Sequence, residues 1–146
     1  MSDGGSRSAG GVADRPELAQ RVVVVDDDRF SREGLRALLT AWGYEVETAA
    51  DGREALERIA AVHPLAVITD VVMPVMNGLE LVGALRASWP RMPVFVLTAH
   101  GNLDTHLVAI GQGACAYLEK PVDIPRLKAA LANSLATCTT WETAAP

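Results

Sequence analysis

Cysteine is scarce in this chain, with two in 146 residues. Cys115 and Cys138 have no metal-ligand spacing and no partner histidine. They exclude a disulfide framework and an ordinary zinc site, and read as reduced thiols in a cytoplasmic protein. Apolar runs of membrane-spanning length are absent. The opening MSDGGSRSAGG has no apolar signal-peptide core and reads as a flexible lead-in. There is no basic stripe, and the net charge is −5, which excludes direct nucleic-acid binding by this chain as a natural reading. Internal repeats beyond a strand-helix unit are missing too. What is present is a large apolar share, 49% of residues, enough for the core of one domain in a chain of this length.

The apolar residues fall into short runs that stop at carboxylates. VVVVDDD (Val22 to Asp28) ends in three aspartates, and LAVITD (Leu65 to Asp70) ends in a fourth. Runs apolar throughout read as parallel strands buried on both faces. Open α/β folds keep their sites at the carboxyl ends of such strands. Two of these strands side by side gather carboxylates that repel one another unless a cation is held among them. A hard divalent ion bound through oxygen is the natural choice.

Along the chain, strands and helices alternate. Strands are expected at Arg21–Asp26, Tyr44–Thr48, Leu65–Thr69, Val94–Thr98 and Ala116–Leu118. Helices are expected at Ser31–Trp42, Arg53–Val62, about Leu79–Ser88, Leu103–Ile110 and a last one marked by Ile124, Leu127, Leu131 and Leu135. Asp51 is placed to cap the second helix. Gly43, Pro64 and Trp89-Pro90 are placed as stops. Leu35, Leu38 and Leu39 are read as core. The fold class is α/β, a flavodoxin-like (βα)5 with a five-stranded parallel sheet of order 2-1-3-4-5 and helices on both faces. That order puts the short, polar Tyr44–Thr48 strand at an edge and sets the strands ending near Asp26 and Asp70 next to each other. The expected organisation is a lead-in over 1–19, a domain over 20–136 and a tail over 137–146. Lead-in and tail lean toward a natural single-domain protein.

With these pieces in order, the chain resembles a response-regulator receiver domain (the CheY-like superfamily), the phospho-accepting module of two-component signalling. The residues that carry the resemblance are Asp26-Asp27-Asp28, then Asp70 with Met73-Pro74 and Asn77-Gly78, then Thr98-Ala99, then Lys120-Pro121. Each is weak alone, and their order makes the combination specific. The resemblance implies Asp70 as phospho-acceptor, with Thr98 and Lys120 contacting the phosphoryl oxygens. It implies Mg²⁺ held by Asp27 and Asp70, by Asp26 mainly through water, and by the backbone carbonyl of Val72. It also implies a cis Lys120–Pro121 bond and a switch pair, Thr98 and Tyr117, acting on the fourth helix, fifth strand and fifth helix. These roles fit the chemistry. A carboxylate can form an acyl phosphate, and phosphoryl transfer needs charge neutralised where anion meets anion.

The implied partners are a sensor histidine kinase or phosphotransfer protein and a downstream effector protein. The implied place is the cytoplasm, with no membrane and no nucleic acid as partner. Kinase docking in the family would fall here on Phe30, Ser31, Gly34 and Pro121-Val122. Some receivers pair through the fourth helix, fifth strand and fifth helix, so a homodimer through that surface is compatible. The protein is read as a regulatory domain that catalyses only its own phosphorylation and dephosphorylation, not as an enzyme. Val72 and His100, each two residues beyond a key position, are candidates for setting the dephosphorylation rate. Asp28 is read as a helix cap or solvated acid.

Three other readings compete. A haloacid-dehalogenase-type phosphatase matches Asp26-x-Asp28, but Phe30 stands where that family has Thr or Val, and the later acid pair is missing. A degenerate receiver serving only as a scaffold conflicts with a complete set of key residues. An FMN binder needs a Ser/Thr/Gly loop where this chain is acidic.

Overall fold

The computed structural model describes residues 20–99, 103–111 and 113–133, with side chains described outside 103–106. The lead-in over 1–19, His100, Leu135, Cys138 and the tail over 137–146 lie outside the described residues. Nine elements follow one another as β1 (Arg21–Val25), α1 (Arg29–Ala41), β2 (Glu45–Ala49), α2 (Gly52–Val62), β3 (Ala66–Asp70), α3 (Gly78–Ser88), β4 (Val94–Thr98), α4 (Leu103–Gly111) and β5 (Ala116–Glu119). A last helix, α5, covers residues 124–133.

All strand pairs are parallel, and the sheet order is β2-β1-β3-β4-β5, as expected from the pattern. Side chains alternate along each strand, and the sheet sorts them into two cores. Val22 and Val24, Ala66 and Ile68, Phe95 and Leu97 pack with Leu39 of α1 and Leu127 and Leu131 of α5. Val23 and Val25, Val67, Val94 and Val96 pack with Ala55 and Ile59 of α2, with Leu81 and Leu85 of α3, and with Ala109 of α4. Runs that are apolar throughout therefore reflect burial on both faces. The edge strand β2 is exposed or half-buried except at Ala49, which accounts for its alternating, charged sequence.

Several boundaries move by one or two residues, for local reasons. β1 stops at Val25, so Asp26 is the first residue beyond the strand, although its N–H still donates to Ala49 O at 3.1 Å. α1 begins at Arg29 because Asp28 caps it, accepting from Phe30 N at 3.2 Å and from Ser31 Oγ at 3.0 Å. Tyr44 stays out of β2 because its N–H donates to Leu39 O at 3.1 Å, within the helix exit turned by Gly43 at φ 98°. Asp51 caps α2 as expected, accepting from Glu54 N at 2.8 Å. Leu38 corrects the core reading. Leu39 is buried, but Leu38 and Leu35, both half-buried, line a surface groove beside Pro121, Val122 and Ile124. The apolar stripe of α1 is wider than the strip of sheet it covers.

Candidate functional site

The site grows from the register of the central strands. β1 and β3 are neighbours, with Val25 opposite Thr69, so Asp26 and Asp70 leave the sheet side by side. Carboxylate oxygens of Asp26, Asp27 and Asp70 all lie within 4.8 Å of one another. Asp26 is 1% exposed, Asp70 is half-buried and Asp27 is exposed. β5 brings the cation. Lys120 Nζ lies 2.8 Å from Asp26 Oδ2 and 3.3 Å from Asp70 Oδ2. The Lys120–Pro121 bond is cis, and Lys120 N donates to Thr98 O at 2.8 Å, tying the end of β5 to the end of β4. Thr98 is 1% exposed and sits one step past Leu97, the residue opposite Asp70.

The other oxygens of Asp26 and Asp70 are also engaged. Asp26 Oδ1 accepts from Asp28 N at 2.9 Å, and Asp70 Oδ1 accepts from Val71 N at 2.7 Å. Burial, reinforced by the Asp26 charge, outweighs Lys120 and the Val71 N–H, so the Asp70 carboxyl is pushed above the usual carboxylate range. Burial alone would lower Lys120. The hydrogen bond and charge of Asp26, followed by those of Asp70, overcome it, and the ammonium is held above its ordinary value. The pocket thus has more anion than cation, although a lysine is already in it.

The loop from β3 to α3 is built around this pocket. Asn77 caps α3 in a reciprocal pair with Glu80, the two bonds being 2.8 and 2.9 Å. Gly78 N donates to Val71 O at 2.8 Å, and Thr69 Oγ1 donates to Asp70 O at 2.9 Å. Met73 is buried and Met76 half-buried, as packing residues of the loop. Val72 stands two residues after Asp70 with a side chain 63% exposed. Val75 has φ 70°, with Met76 N donating to Pro74 O at 2.7 Å across it. That three-residue turn puts a β-branched residue in the left-handed region. The left-handed region costs an ordinary L-residue about 1–2 kcal/mol, and asparagine bears it more readily. Val75 is largely exposed and gives up little burial on replacement. Val75→Asn is therefore expected to raise unfolding free energy by about 1 kcal/mol in urea denaturation. A loss of stability would show that the turn is not strained.

The structure brings Asp26, Asp27, Asp70, Thr98 and Lys120 to one sheet edge. Tyr117 is buried in the core shared with α2, α3 and α4. His100 lies outside the described residues. Phe30, Ser31, Gly34, Pro121 and Val122 line one groove of about 440 Å³, with Lys120 also among its walls. Asp28 is committed to capping α1, so the Asp26-x-Asp28 pair of the phosphatase reading loses its acid. Two contributors escaped the sequence reading. Arg32 Nη1 donates to Asp26 O at 2.8 Å, and Thr69 holds the Asp70 carbonyl. An arginine one turn into a helix carries no motif, and a buried strand threonine resembles any other.

Comparison with known proteins agrees with the geometry. A response regulator receiver domain family model matches residues 22–132. The response regulator MprA of Mycolicibacterium vanbaalenii is 46% identical over 109 residues, 75% of this chain and 47% of that protein. MprA of Mycobacterium ulcerans is 44% identical over 112 residues, 77% of this chain and 48% of that protein. The chain thus spans about half the length of these curated relatives. A response regulator receiver domain protein from Clostridium thermocellum superposes with a TM-score of 0.80 at 32% identity, covering 85% of this chain and 99% of that one. The chemotaxis protein CheY4 of Vibrio cholerae gives 0.74 at 36% identity, covering 80% and 98%. Among the described residues no helix is long and apolar enough to cross a membrane. By sequence match and by structure, this chain belongs to the response regulator receiver domain family.

Proposed function

We propose that residues 20–136 form a phosphorelay unit that takes a phosphoryl group onto Asp70. The observation that carries this reading is the meeting of the Asp26, Asp27 and Asp70 carboxylates within 4.8 Å, with Lys120 Nζ 3.3 Å from Asp70. An Asp70 oxygen attacks phosphorus, an acyl phosphate forms, and the donor's group leaves with its electron pair. Lys120 supplies a mobile positive charge for one phosphoryl oxygen, and the Thr98 hydroxyl donates to another. The Val71 N–H holds Asp70 Oδ1 and so aims the other oxygen toward the pocket.

The side-chain donors are all carboxylate oxygens, the chemistry that a hard cation such as Mg²⁺ prefers. Asp27 and Asp70 would hold it directly, Asp26 through water, with the Val72 carbonyl completing the protein's share. When bound, the ion neutralises the carboxylates and the incoming phosphoryl oxygens. The donor is a sensor histidine kinase or phosphotransfer protein. The groove lined by Phe30, Gly34 and Pro121 supports its docking beside the acceptor. Output runs through Thr98 and Tyr117 to the surface of α4, β5 and α5, which an effector protein reads or a second copy pairs with. The unit works in the cytoplasm, and its turnover is confined to its own acyl phosphate.

The metal half of this reading is tested by thermal melting. At ten times its Kd, Mg²⁺ is expected to stabilise the native state by about 1.4 kcal/mol. For a domain of this size that is a Tm rise of roughly 5 °C. Asp27→Asn should remove most of the rise. An equal rise in that variant would remove Asp27 from the metal site.

A further inference from the structure

The peptide between Asp70 and Val71 is engaged at both of its polar ends. Its N–H donates to Asp70 Oδ1 at 2.7 Å, the bond that holds the acceptor carboxylate. Its carbonyl, Asp70 O, accepts from Thr69 Oγ1 at 2.9 Å. A peptide is planar, so whatever turns its carbonyl turns its N–H with it. A hydrogen bond accepted by the carbonyl also polarises the amide and strengthens its N–H as a donor. The two bonds therefore act in series, from the Thr69 hydroxyl through one peptide to the Asp70 carboxylate.

Thr69 is well placed to hold that peptide. It is 0% exposed, so its hydroxyl is away from bulk water. The other neighbour of Oγ1 is Met73 Sδ at 4.0 Å, a weak acceptor. A β-branched side chain is restricted at χ1. The strand around it is fixed, with Thr69 opposite Val25 of β1 and Val96 of β4. The following peptide is fixed as well, since Gly78 N donates to Val71 O at 2.8 Å. Valine would fill nearly the same space with no polar atom to bury, so packing alone gives no reason for a threonine here.

Resting on Asp70 as the phospho-acceptor proposed above, we infer that Thr69 is a positioning residue: its hydroxyl fixes the Asp70–Val71 peptide, and the N–H of that peptide fixes the attacking carboxylate. Without the hydroxyl the peptide is free to tilt. The Val71 N–H then loosens its hold on Asp70 Oδ1, and the other oxygen loses its aim at phosphorus. Thr69 reaches the reaction only through the backbone, from inside the core.

The test compares the full chain as wild type, Thr69→Val, Thr69→Ser and Val67→Ala. Val67 lies two residues earlier on the same face of β3 and is 0% exposed, so Val67→Ala weakens the strand without touching the acceptor's peptide. One readout is the initial rate of adduct formation from acetyl phosphate and Mg²⁺, by intact mass. The other is hydrogen exchange of the Val71 amide with neither reagent present. Thr69→Val is expected to form the adduct at least about tenfold more slowly. Its Val71 amide is expected to exchange at least about tenfold faster. Thr69→Ser, which keeps the hydroxyl, should stay near wild type in both. Val67→Ala should lose stability in urea denaturation and keep the wild-type rate of adduct formation. A wild-type value of either readout in Thr69→Val overturns the positioning role and leaves Asp70 the acceptor. A serine variant as slow as the valine variant overturns it too, since the hydroxyl is then not what counts. So does a Val67→Ala variant as slow as Thr69→Val, since strand stability then suffices. No adduct on wild type overturns the acceptor reading itself, and the role of Thr69 with it.

Discussion

Asp70→Asn is expected to take up no phosphoryl group from any donor and, without metal, to be more stable than wild type. The first effect follows from the chemistry, since a neutral amide oxygen is no match for a carboxylate as a nucleophile. The second follows from the electrostatics. Asp70 holds its proton more tightly in the folded pocket than in the unfolded chain, because burial and the Asp26 charge outweigh Lys120. Between the unfolded value and this raised one, the native state carries more protons than the unfolded state. Stability therefore falls as pH rises through that window, and the penalty is fully present above it. Asparagine removes the charge and can still accept from the Val71 N–H. Lys120 keeps its contact with Asp26. The variant's advantage in urea denaturation should be greatest above the raised Asp70 value, shrink as pH falls through it, and shrink again when Mg²⁺ is added. A variant less stable than wild type at neutral pH would show that the Asp70–Lys120 pair contributes more than the carboxylate's burial costs.

Gly78→Ala is expected to damage both fold and site. A Cβ at that position would come within 2.0 Å of Asp70 O and 2.9 Å of Val71 Cα. These are backbone atoms, with no rotamer to relieve the clash. Helix α3 would have to move off the end of β3, breaking the 2.8 Å bond from Gly78 N to Val71 O. Forced overpacking of this kind costs about 1–3 kcal/mol. The functional loss should be larger, because the displaced backbone carries the acceptor. A shift of about 1 Å at reacting groups can cost on the order of a hundredfold in rate. Urea denaturation and the initial rate of acyl-phosphate formation measure the two effects separately. A variant with wild-type stability and rate would show that this close approach has no role.

Most of the architecture was legible because burial is written into composition. Val22 to Val25 and Ala66 to Ile68 are apolar on both faces, and the sheet covers both faces of those strands with helices. Glu45 and Glu47 alternate with Val46 because β2 is an edge. The site's anions were legible for the same reason: an aspartate ending a buried strand has little reason to be there except chemistry. Less legible was whatever depends on relative placement across the chain. No pattern states that Lys120, 94 residues from Asp26, donates to it rather than to Asp70 alone. That the half-buried Leu38 lines a groove depends on where the β5–α5 connection crosses α1. The left-handed Val75 runs against its side chain, so propensity pointed away from the backbone the loop adopts.

The most direct test of the account is intact mass after incubation with acetyl phosphate and Mg²⁺, wild type beside Asp70→Asn, with and without EDTA. A single phosphoryl adduct is expected on wild type, abolished by EDTA and absent from Asp70→Asn. An adduct on Asp70→Asn, or one indifferent to EDTA, would contradict it.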